Sequence, residues 1–403
     1  MIKSIRMVNF KSIGDLCLGL DRFNCLVGVN GAGKSTVLQA FDFLSHIMQG
    51  DVDAWLKERN WNIGDLNNKL RKENNITINV VYELENAHTL NWSGVFNRTD
   101  LRCTKEHVIE TGVIPPARSG RKLLLVDKGT FSLDGKPRQE IAFTYQGSIL
   151  SVLKESELPA SLLEFRSAIK HMRSLELLSP QLLRKRARSS DHDIGFGGEK
   201  LSAFLDGIKG QKKDDLLVLL RRFYPAIVDF RVSTLKSGWK KLMVQEQFEG
   251  KQLETEATHL NDGLLRVLAV LAQSSTDRSL ILLDEIENGI NQEIVEALVD
   301  TLVESPQQLV ITTHSPLVLN YLTDEVARKS VQLIYKSPAG ETRVRRFFDI
   351  PRMAEKLNAM GPGDAFVDTD LNLLTQECIE LDRQSEASIR AEEVAEANAM
   401  EEQ

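Results

Sequence analysis

The chain has 403 residues, 42% of them apolar and 27% charged, so it is long enough for one large globular domain or two of ordinary size. No apolar run approaches the ~18 residues that a membrane helix needs, and the first residues are too polar for a signal peptide. The four cysteines show no paired short spacing, which predicts neither a disulfide framework nor a zinc site. The net charge of −7 gives no general attraction for nucleic acid. We therefore expect a cytoplasmic protein in a reducing compartment, without a membrane span.

The N-terminal segment has the pattern of a strand, a glycine-rich turn and a helix. Apolar alternation predicts a strand over Ile2–Phe10 and a returning strand over 15–20, and Phe23–Val27 is a short apolar run. Residues 28–36 then read Gly-Val-Asn-Gly-Ala-Gly-Lys-Ser-Thr, ahead of a helical pattern over 37–48. A plain turn before a helix is the alternative interpretation. The full Gly-x-x-x-x-Gly-Lys-Ser spacing between a strand and a helix favours a phosphate-binding loop.

In such a loop, glycines allow consecutive backbone N–H groups to surround a polyphosphate, and the helix directs its positive end at the same anion. Lys34 would reach the β- and γ-phosphates, and the Ser35 hydroxyl would bind Mg²⁺. The sequence therefore predicts a nucleoside triphosphate site formed by Asn30, Gly31, Ala32, Gly33, Lys34, Ser35 and Thr36.

The middle of the chain mixes sheet and helix patterns without heptads, so we expect a compact α+β lobe and no long coiled coil. Short apolar runs split by Gly, Pro and Asp over 92–145, including Pro115-Pro116, indicate an antiparallel sheet with long turns. We also predict strands over 76–84, 227–235 and 240–248, and helices over 161–173, 200–208 and 214–224, with Pro180 as a helix stop.

The last third has the pattern of a buried parallel sheet. We predict helices over 264–272 and 293–303 and wholly apolar strands over 280–283 and 309–313, the two strands as neighbours. Strands over 331–335 and 343–348 would extend this sheet or form an edge hairpin.

Polar side chains directly follow the two apolar strands over 280–283 and 309–313. Asp284 is suited to hold Mg²⁺ and Glu285 to polarise an attacking water, although a helix N-cap with an acidic first turn is the alternative. A lone histidine is more often structural, but His314 follows the neighbouring strand, from which a loop could reach a γ-phosphate. Asn261, Asp262 and Gly263 precede a helix and form either an N-cap turn or a second anion-binding helix terminus. Their spacing does not decide between these two interpretations.

The order of these motifs, with Leu280–Leu283 preceding Asp284-Glu285 and Thr313 to Pro316 following the next strand, resembles the ATP-binding-cassette (ABC) ATPases. More narrowly, the chain is similar to the SMC/RecF/OLD-like branch of bacterial AAA family ATPases (AAA_21-like), whose first strand the opening residues 2–12 resemble. Residues 360–366 also resemble the ends of such ATPases. The resemblance implies an α/β fold, with a P-loop ATPase core of mixed sheet flanked by helices and a large α+β insertion. The implied boundaries are core at 1–50, inserted lobe at 51–255, core at 256–350 and an acidic helical tail at 351–403.

The resemblance further implies a head-to-tail homodimer, or a higher oligomer built on it, that encloses two ATP molecules with Mg²⁺. Each phosphate loop would face Asn261, Asp262 and Gly263 of the partner, with Glu285 as general base and His314 as switch. Residues 287–289 would cross to the opposite site. Asn261 stands where the family usually has Ser, which predicts slow hydrolysis, although its amide can still donate to a phosphate oxygen. Gln49 is the candidate for the family's glutamine-bearing loop.

We expect an ATP-hydrolysing switch that acts on nucleic acid or on a separately encoded effector, in DNA repair or anti-phage defence. A transporter subunit and a non-hydrolysing scaffold are the alternatives. Asp364, Asp368 and Asp370 are interpreted as cap or surface residues, so no nuclease of its own is predicted. Basic residues form either ordinary surface or a nucleic-acid groove, namely Arg184, Lys185, Arg186, Arg188, Lys209, Lys212, Lys213, Arg221, Arg222, Lys240 and Lys241.

Overall fold

The computed structural model describes residues 1–112, 120–175, 178–190, 193–195, 197–274 and 279–385. The predicted turn at Pro115-Pro116 and the part of the acidic tail beyond residue 385 lie outside these residues. Within them, the chain forms strands and helices of short to medium length. The longest helix has 16 residues, so no long coiled coil occurs in the described ranges.

Ten of the seventeen strands named here lie in the first half of the chain, and the other seven lie between residues 227 and 346. They are β1 Ile2–Phe10, β2 Ile13–Gly19, β3 Phe23–Val27, β4 Asn75–Glu83, β5 Thr89–Asn97, β6 Arg102–Thr111, β7 Arg121–Asp127, β8 Thr130–Leu133, β9 Gln139–Glu140, β10 Arg173–Leu175, β11 Ile227–Thr234, β12 Lys240–Phe248, β13 Lys251–Glu256, β14 Leu280–Leu283, β15 Gln308–Thr312, β16 Val331–Lys336 and β17 Thr342–Arg346.

The helices follow β3 and then dominate the second half. They are α1 Lys34–Gln49, α2 Val52–Glu58, α3 Ala160–Lys170, α4 Pro180–Leu183, α5 Leu201–Gly207, α6 Gln211–Phe223, α7 Asp262–Ser274, α8 Gln292–Val303, α9 Pro316–Asn320, α10 Asp324–Ser330, α11 Pro351–Leu357, α12 Pro362–Val367 and α13 over residues 371–385. None of the described helices is both long and apolar enough to cross a membrane.

One large sheet organises the molecule, in the order β10-β14-β15-β3-β16-β17-β2-β1-β4-β5-β6-β7-β8-β9. The strands from β10 to β16 in this order run parallel, and the strands from β2 to β9 form an antiparallel meander. A separate three-stranded sheet has the order β11-β12-β13. This is the mixed α/β class that the sequence predicts.

The strands β3, β14 and β15 are buried on both faces, which explains why their sequences are largely apolar. Ile281 and Leu283 of β14 belong to a core shared with α7 and α8, whereas Leu280 and Leu282 belong to a core shared with α1. Alternate side chains of one strand therefore serve the two layers of helices. The C-terminal ends of β3, β14 and β15 meet at one edge, where ligands bind in open α/β sheets.

The structure corrects several sequence expectations. The hairpin of β16 and β17 lies inside the large sheet, between β3 and β2, rather than at an edge. Pro180 begins α4 instead of only ending a helix, because proline suits the first helical position. Residues 51–255 contribute strands to both sheets, since β4 pairs directly with β1. The inserted stretch therefore continues the core sheet before it forms the smaller one.

Candidate functional site

The glycine-rich loop joins β3 to α1 and has one packed side and one open side. Gly28, Gly31 and Gly33 have φ angles of 149°, 77° and 111°, which favour glycine. A Cβ at Gly28 would lie 2.2 Å from the Ile334 carbonyl oxygen, and one at Gly33 would lie 2.3 Å from the Thr342 hydroxyl. A Cβ at Gly31 would meet nothing within 4 Å. The loop is therefore held from behind by β16 and β17 and can receive a ligand at Gly31.

Lys34, the first residue of α1, extends its side chain back over this loop. Its ammonium donates hydrogen bonds to the carbonyl oxygens of Gly28 at 3.0 Å and Val29 at 3.3 Å. Burial lowers the pKa of Lys34, and attraction to nearby carboxylates, chiefly Asp284, opposes that effect. The charged group is thus partly desolvated and aimed at the loop's interior, where an anion would stabilise it.

Ser35 and Asp284 meet although they are 249 positions apart in the sequence. The Ser35 hydroxyl donates to Asp284 Oδ2 at 3.1 Å, and the Thr312 hydroxyl donates to Asp284 Oδ1. A hydroxyl and a carboxylate are oxygen ligands of the kind Mg²⁺ prefers. The donor set therefore fits the magnesium ion expected with ATP, and Thr312 orients its carboxylate.

Glu285 leaves the end of β14 in a left-handed backbone conformation, with φ of 48°. Its backbone N–H donates to Thr312 Oγ1 at 2.9 Å, which fixes the turn, and its side chain remains 47% exposed. Its carboxylate lies 3.8 Å from His314 Nε2 and accepts a long hydrogen bond of 3.4 Å from the Asn288 amide. The structure brings the predicted base and the predicted switch histidine together, as expected from neighbouring parallel strands.

Glu287 has a role that the sequence reasoning missed. Its Oε1 accepts hydrogen bonds from the backbone N–H groups of His314 at 2.9 Å and Ser315 at 3.1 Å. It thereby holds the loop that carries the histidine. Two features of the sequence could have indicated this role. Glu287 is a third carboxylate shortly after β14, and the first N–H groups of a helix such as α9 need hydrogen-bond acceptors.

The turn formed by Asn261, Asp262 and Gly263, called the signature turn below, caps α7. Asn261 Oδ1 accepts from the Leu264 N–H at 2.7 Å, so the N-cap interpretation is correct for the local geometry. Arg184 donates to the Leu260 carbonyl oxygen at 2.7 Å and to the Asp262 carboxylate. Among the described residues no hydrogen bond or ion pair links this turn to the phosphate loop of the same chain.

A cavity of about 510 Å³ adjoins Thr36 and was not anticipated. Lys11, Trp61 and Leu70 contribute to its lining, and the Lys11 ammonium lies 3.1 Å from the centre of the Trp61 ring. Because 50 positions separate these residues, only the fold reveals that they share a surface beside the phosphate loop.

Gln49 does not lie at the phosphates. It is the last residue of α1, whereas Lys34 is the first, so the helix places them about 22 Å apart. Its amide instead donates to Ser45 Oγ at 2.9 Å. The suggested glutamine loop is therefore wrong.

At least five of the eleven basic side chains named above have acidic partners among the described residues. Ion pairs join Arg184 to Asp262, Arg186 and Lys241 to Glu256, Lys213 to Asp229 and Lys240 to Asp206. Such pairing reduces the positive potential available to a phosphate backbone. The arrangement favours ordinary surface over a nucleic-acid groove.

Comparison with known proteins identifies the family. Residues 23–78 and 139–320, more than half of the chain, match the AAA_21 family model, described as "AAA domain, putative AbiEii toxin, Type IV TA system". The chain belongs to this family. The predicted AAA_21-like family is thereby confirmed, and the matched ranges contain the phosphate loop, the signature turn, Asp284, Glu285, Glu287 and His314.

Curated proteins gave no match, whereas solved structures did. The SMC head domain from Thermotoga maritima is 12% identical, with 86% of this chain and 98% of that chain covered and a TM-score of 0.46. An SmcHead bound to the C-winged helix domain of ScpA is 14% identical, with 85% and 96% covered and a TM-score of 0.49. A head with an extended coiled coil, bound to the C-terminal domain of ScpA derived from Pyrococcus furiosus, is 12% identical, with 89% and 99% covered and a TM-score of 0.49.

Proposed function

We propose that this AAA_21 protein is an ATP-hydrolysing switch, in which two copies join around two ATP molecules and separate after hydrolysis. One observation supports the proposal above all others. The hydrogen bond between Ser35 and Asp284 places a phosphate loop and an acidic strand end side by side, with Glu285 and His314 at the same edge. That combination suits phosphoryl transfer from ATP to water.

Each subunit would hold one Mg-ATP mainly by its own loop. Backbone N–H groups from Asn30 to Thr36 and the Lys34 ammonium would bind the phosphates, and Ser35 and Asp284 would hold Mg²⁺. When bound, Mg²⁺ would neutralise part of the phosphate charge. The cavity beside Thr36 would receive the nucleoside, because it adjoins the phosphate loop and has both polar and apolar lining residues.

Hydrolysis would depend on side chains at the end of β14 and β15. Glu285, exposed and fixed by its backbone, would orient a water molecule and take its proton as that water attacks the γ-phosphate. His314, 3.8 Å from Glu285, would hydrogen-bond the γ-phosphate and so report whether it is present. Glu287 would keep the histidine loop in position.

The partner subunit would complete each site with its signature turn. Because no described contact ties this turn to its own phosphate loop, contact with the partner's nucleotide is the arrangement we propose. Asn261 uses its Oδ1 to cap α7, which leaves its Nδ2 to donate to a phosphate oxygen. The Asp262 carboxylate would repel ATP, and Arg184 offsets that charge. With Asn in place of the usual Ser, we expect slow turnover.

The switch would act in the cytoplasm on a separately encoded effector protein, in DNA repair or anti-phage defence. We favour a protein partner over direct nucleic-acid binding because acidic side chains already pair with many of the basic residues. A dimer, or a higher oligomer assembled from dimers, would be the responding unit.

The test is steady-state ATP hydrolysis by wild type and by Glu285→Gln, with Glu293→Gln as the matched control. Glu293 is an exposed carboxylate at the start of α8. We expect Glu285→Gln to lower kcat by about 10² to 10⁴, the usual contribution of a general base, and Glu293→Gln to retain it. Full activity in Glu285→Gln would refute the assignment.

A further inference from the structure

Arg266 lies on α7, one helical turn after Asp262 of the signature turn. Its side chain is half-buried, and its Nε is buried without a hydrogen-bond partner among the described residues. A buried guanidinium N–H that lacks a partner is costly and uncommon. Packing alone therefore does not explain why Arg266 occupies this position.

The side chain faces a cavity of about 80 Å³ that also reaches the hydrolytic carboxylates. Asp284, Glu285 and Asn288 line this cavity with Arg266, while apolar side chains close its other walls. A Cβ at Gly289 would lie 3.5 Å from Arg266 Nε and 3.7 Å from its Cδ. Arg266 thus packs directly against the loop that follows the general base.

The charge of Arg266 is attracted by two carboxylates that belong to different parts of the site. Burial lowers the pKa of Arg266, and attraction to Asp262 and Glu285 opposes this. An arginine stays protonated in proteins, so the positive charge is permanent. One of its acidic neighbours belongs to the signature turn and the other is the general base.

We propose that Arg266 is a positioning residue that couples the two ATP sites of the dimer. The proposal rests on the proposed function. There, the signature turn of one subunit closes over the ATP of the partner, while Glu285 of that same subunit acts on the ATP that its own phosphate loop binds. Because α7 is a continuous helix, movement of the turn toward a phosphate displaces Arg266 relative to Asn288 and Gly289. Closure at one site would then bring the free Nε to a partner beside Glu285 and prepare the other site for hydrolysis.

The experiment compares Arg266→Gln, which removes the charge, with Arg266→Lys, which keeps it, and with Val270→Ala as a control. Val270 lines the same cavity from the next turn of α7 and carries no charge. Hydrolysis is measured against ATP concentration, and binding of a fluorescent ATP analogue is measured separately. For wild type we expect a Hill coefficient greater than unity, with two sites setting the limit at about 2.

Arg266→Gln should bring the Hill coefficient to about 1 and lower kcat about tenfold, while analogue affinity stays within about twofold. Arg266→Lys should restore part of both quantities, and Val270→Ala should keep wild-type cooperativity even if its melting temperature falls. Three results would each overturn the proposal. They are wild-type cooperativity in Arg266→Gln, a loss of cooperativity in Val270→Ala equal to that in Arg266→Gln, and a Hill coefficient of unity in the wild type. If Glu285→Gln forms no dimer with Mg-ATP, the proposed function fails as well. If that dimer forms, any of the three results refutes the coupling alone.

Discussion

Replacing Lys34 with methionine should separate nucleotide binding from folding. The ammonium is partly desolvated by burial, which lowers its pKa. Among the described residues it is stabilised by the Gly28 and Val29 carbonyl oxygens and by more distant carboxylates. A depressed lysine pKa means that the charged form costs stability, and this cost is present at neutral pH, below that pKa. Methionine keeps the apolar stem and removes the charge. We expect the nucleotide-free variant to melt no lower than wild type.

The loss in ATP affinity follows from the charge. An ammonium about 4 Å from a phosphate charge gains about 4 kcal/mol at an effective dielectric constant of ~20. Wild type exchanges its carbonyl hydrogen bonds for phosphate contacts on binding, which offsets about 1 kcal/mol. The remaining ~3 kcal/mol corresponds to a dissociation constant about a hundredfold higher.

Thermal or chemical unfolding with and without Mg-ATP measures this loss. At an ATP concentration about 100 times the wild-type dissociation constant, wild type should gain ~2.7 kcal/mol and Lys34→Met only ~0.4 kcal/mol. Lys329→Met, which removes an exposed lysine paired with Glu325, is the control and should keep the full gain. An undiminished gain in Lys34→Met would refute the interpretation of the loop.

Three further predictions address the signature turn, the loop and the sheet. Arg184→Ala should weaken ATP-driven association in sedimentation while ATP affinity of the single subunit is retained, and an equal effect of Arg186→Ala would count against a role at the turn. Gly33→Ala should destabilise the fold by more than about 1 kcal/mol in urea, because of its positive φ and the nearby Thr342 hydroxyl, and unchanged stability would contradict this geometry. Burial raises the pKa of Glu106 from 4.5 to about 7, so its stabilising effect is complete below pH 4.5 and is lost as the pH rises through about 7. Melting temperatures between pH 5 and 8 should fall less in Glu106→Gln than in wild type, and parallel falls would contradict this.

The parallel strands and the phosphate loop could be predicted because local sequence carries both. All five residues of β3 are buried and all but Asn24 are apolar, because both faces of the strand are covered. The glycines that follow it are required by backbone geometry at specific positions. The chain direction then places Asp284, Glu285 and His314 at one edge without any knowledge of packing. Hence the sequence predicts the part of the site that one subunit forms with its own phosphate loop and strand ends.

Other features depend on contacts that local patterns do not encode. The edge strand β13 reads Lys-Gln-Leu-Glu-Thr-Glu and was missed because its largely exposed residues give no apolar alternation. The position of β17 beside β2 is decided by pairing across more than 300 residues. The pairing of Arg184 with Asp262 likewise joins residues 78 positions apart, and the sequence offered only a basic run.

The central claim is that ATP joins two copies of this chain, and the most direct measurement is the mass of the Glu285→Gln protein in solution. The substitution removes the proposed base and keeps the phosphate loop, so bound ATP should persist. With Mg-ATP we predict a mass near twice the 45.3 kDa of one chain, and without nucleotide the mass of a single chain. The same mass in both conditions would contradict the account, whether the protein stays single or is already assembled.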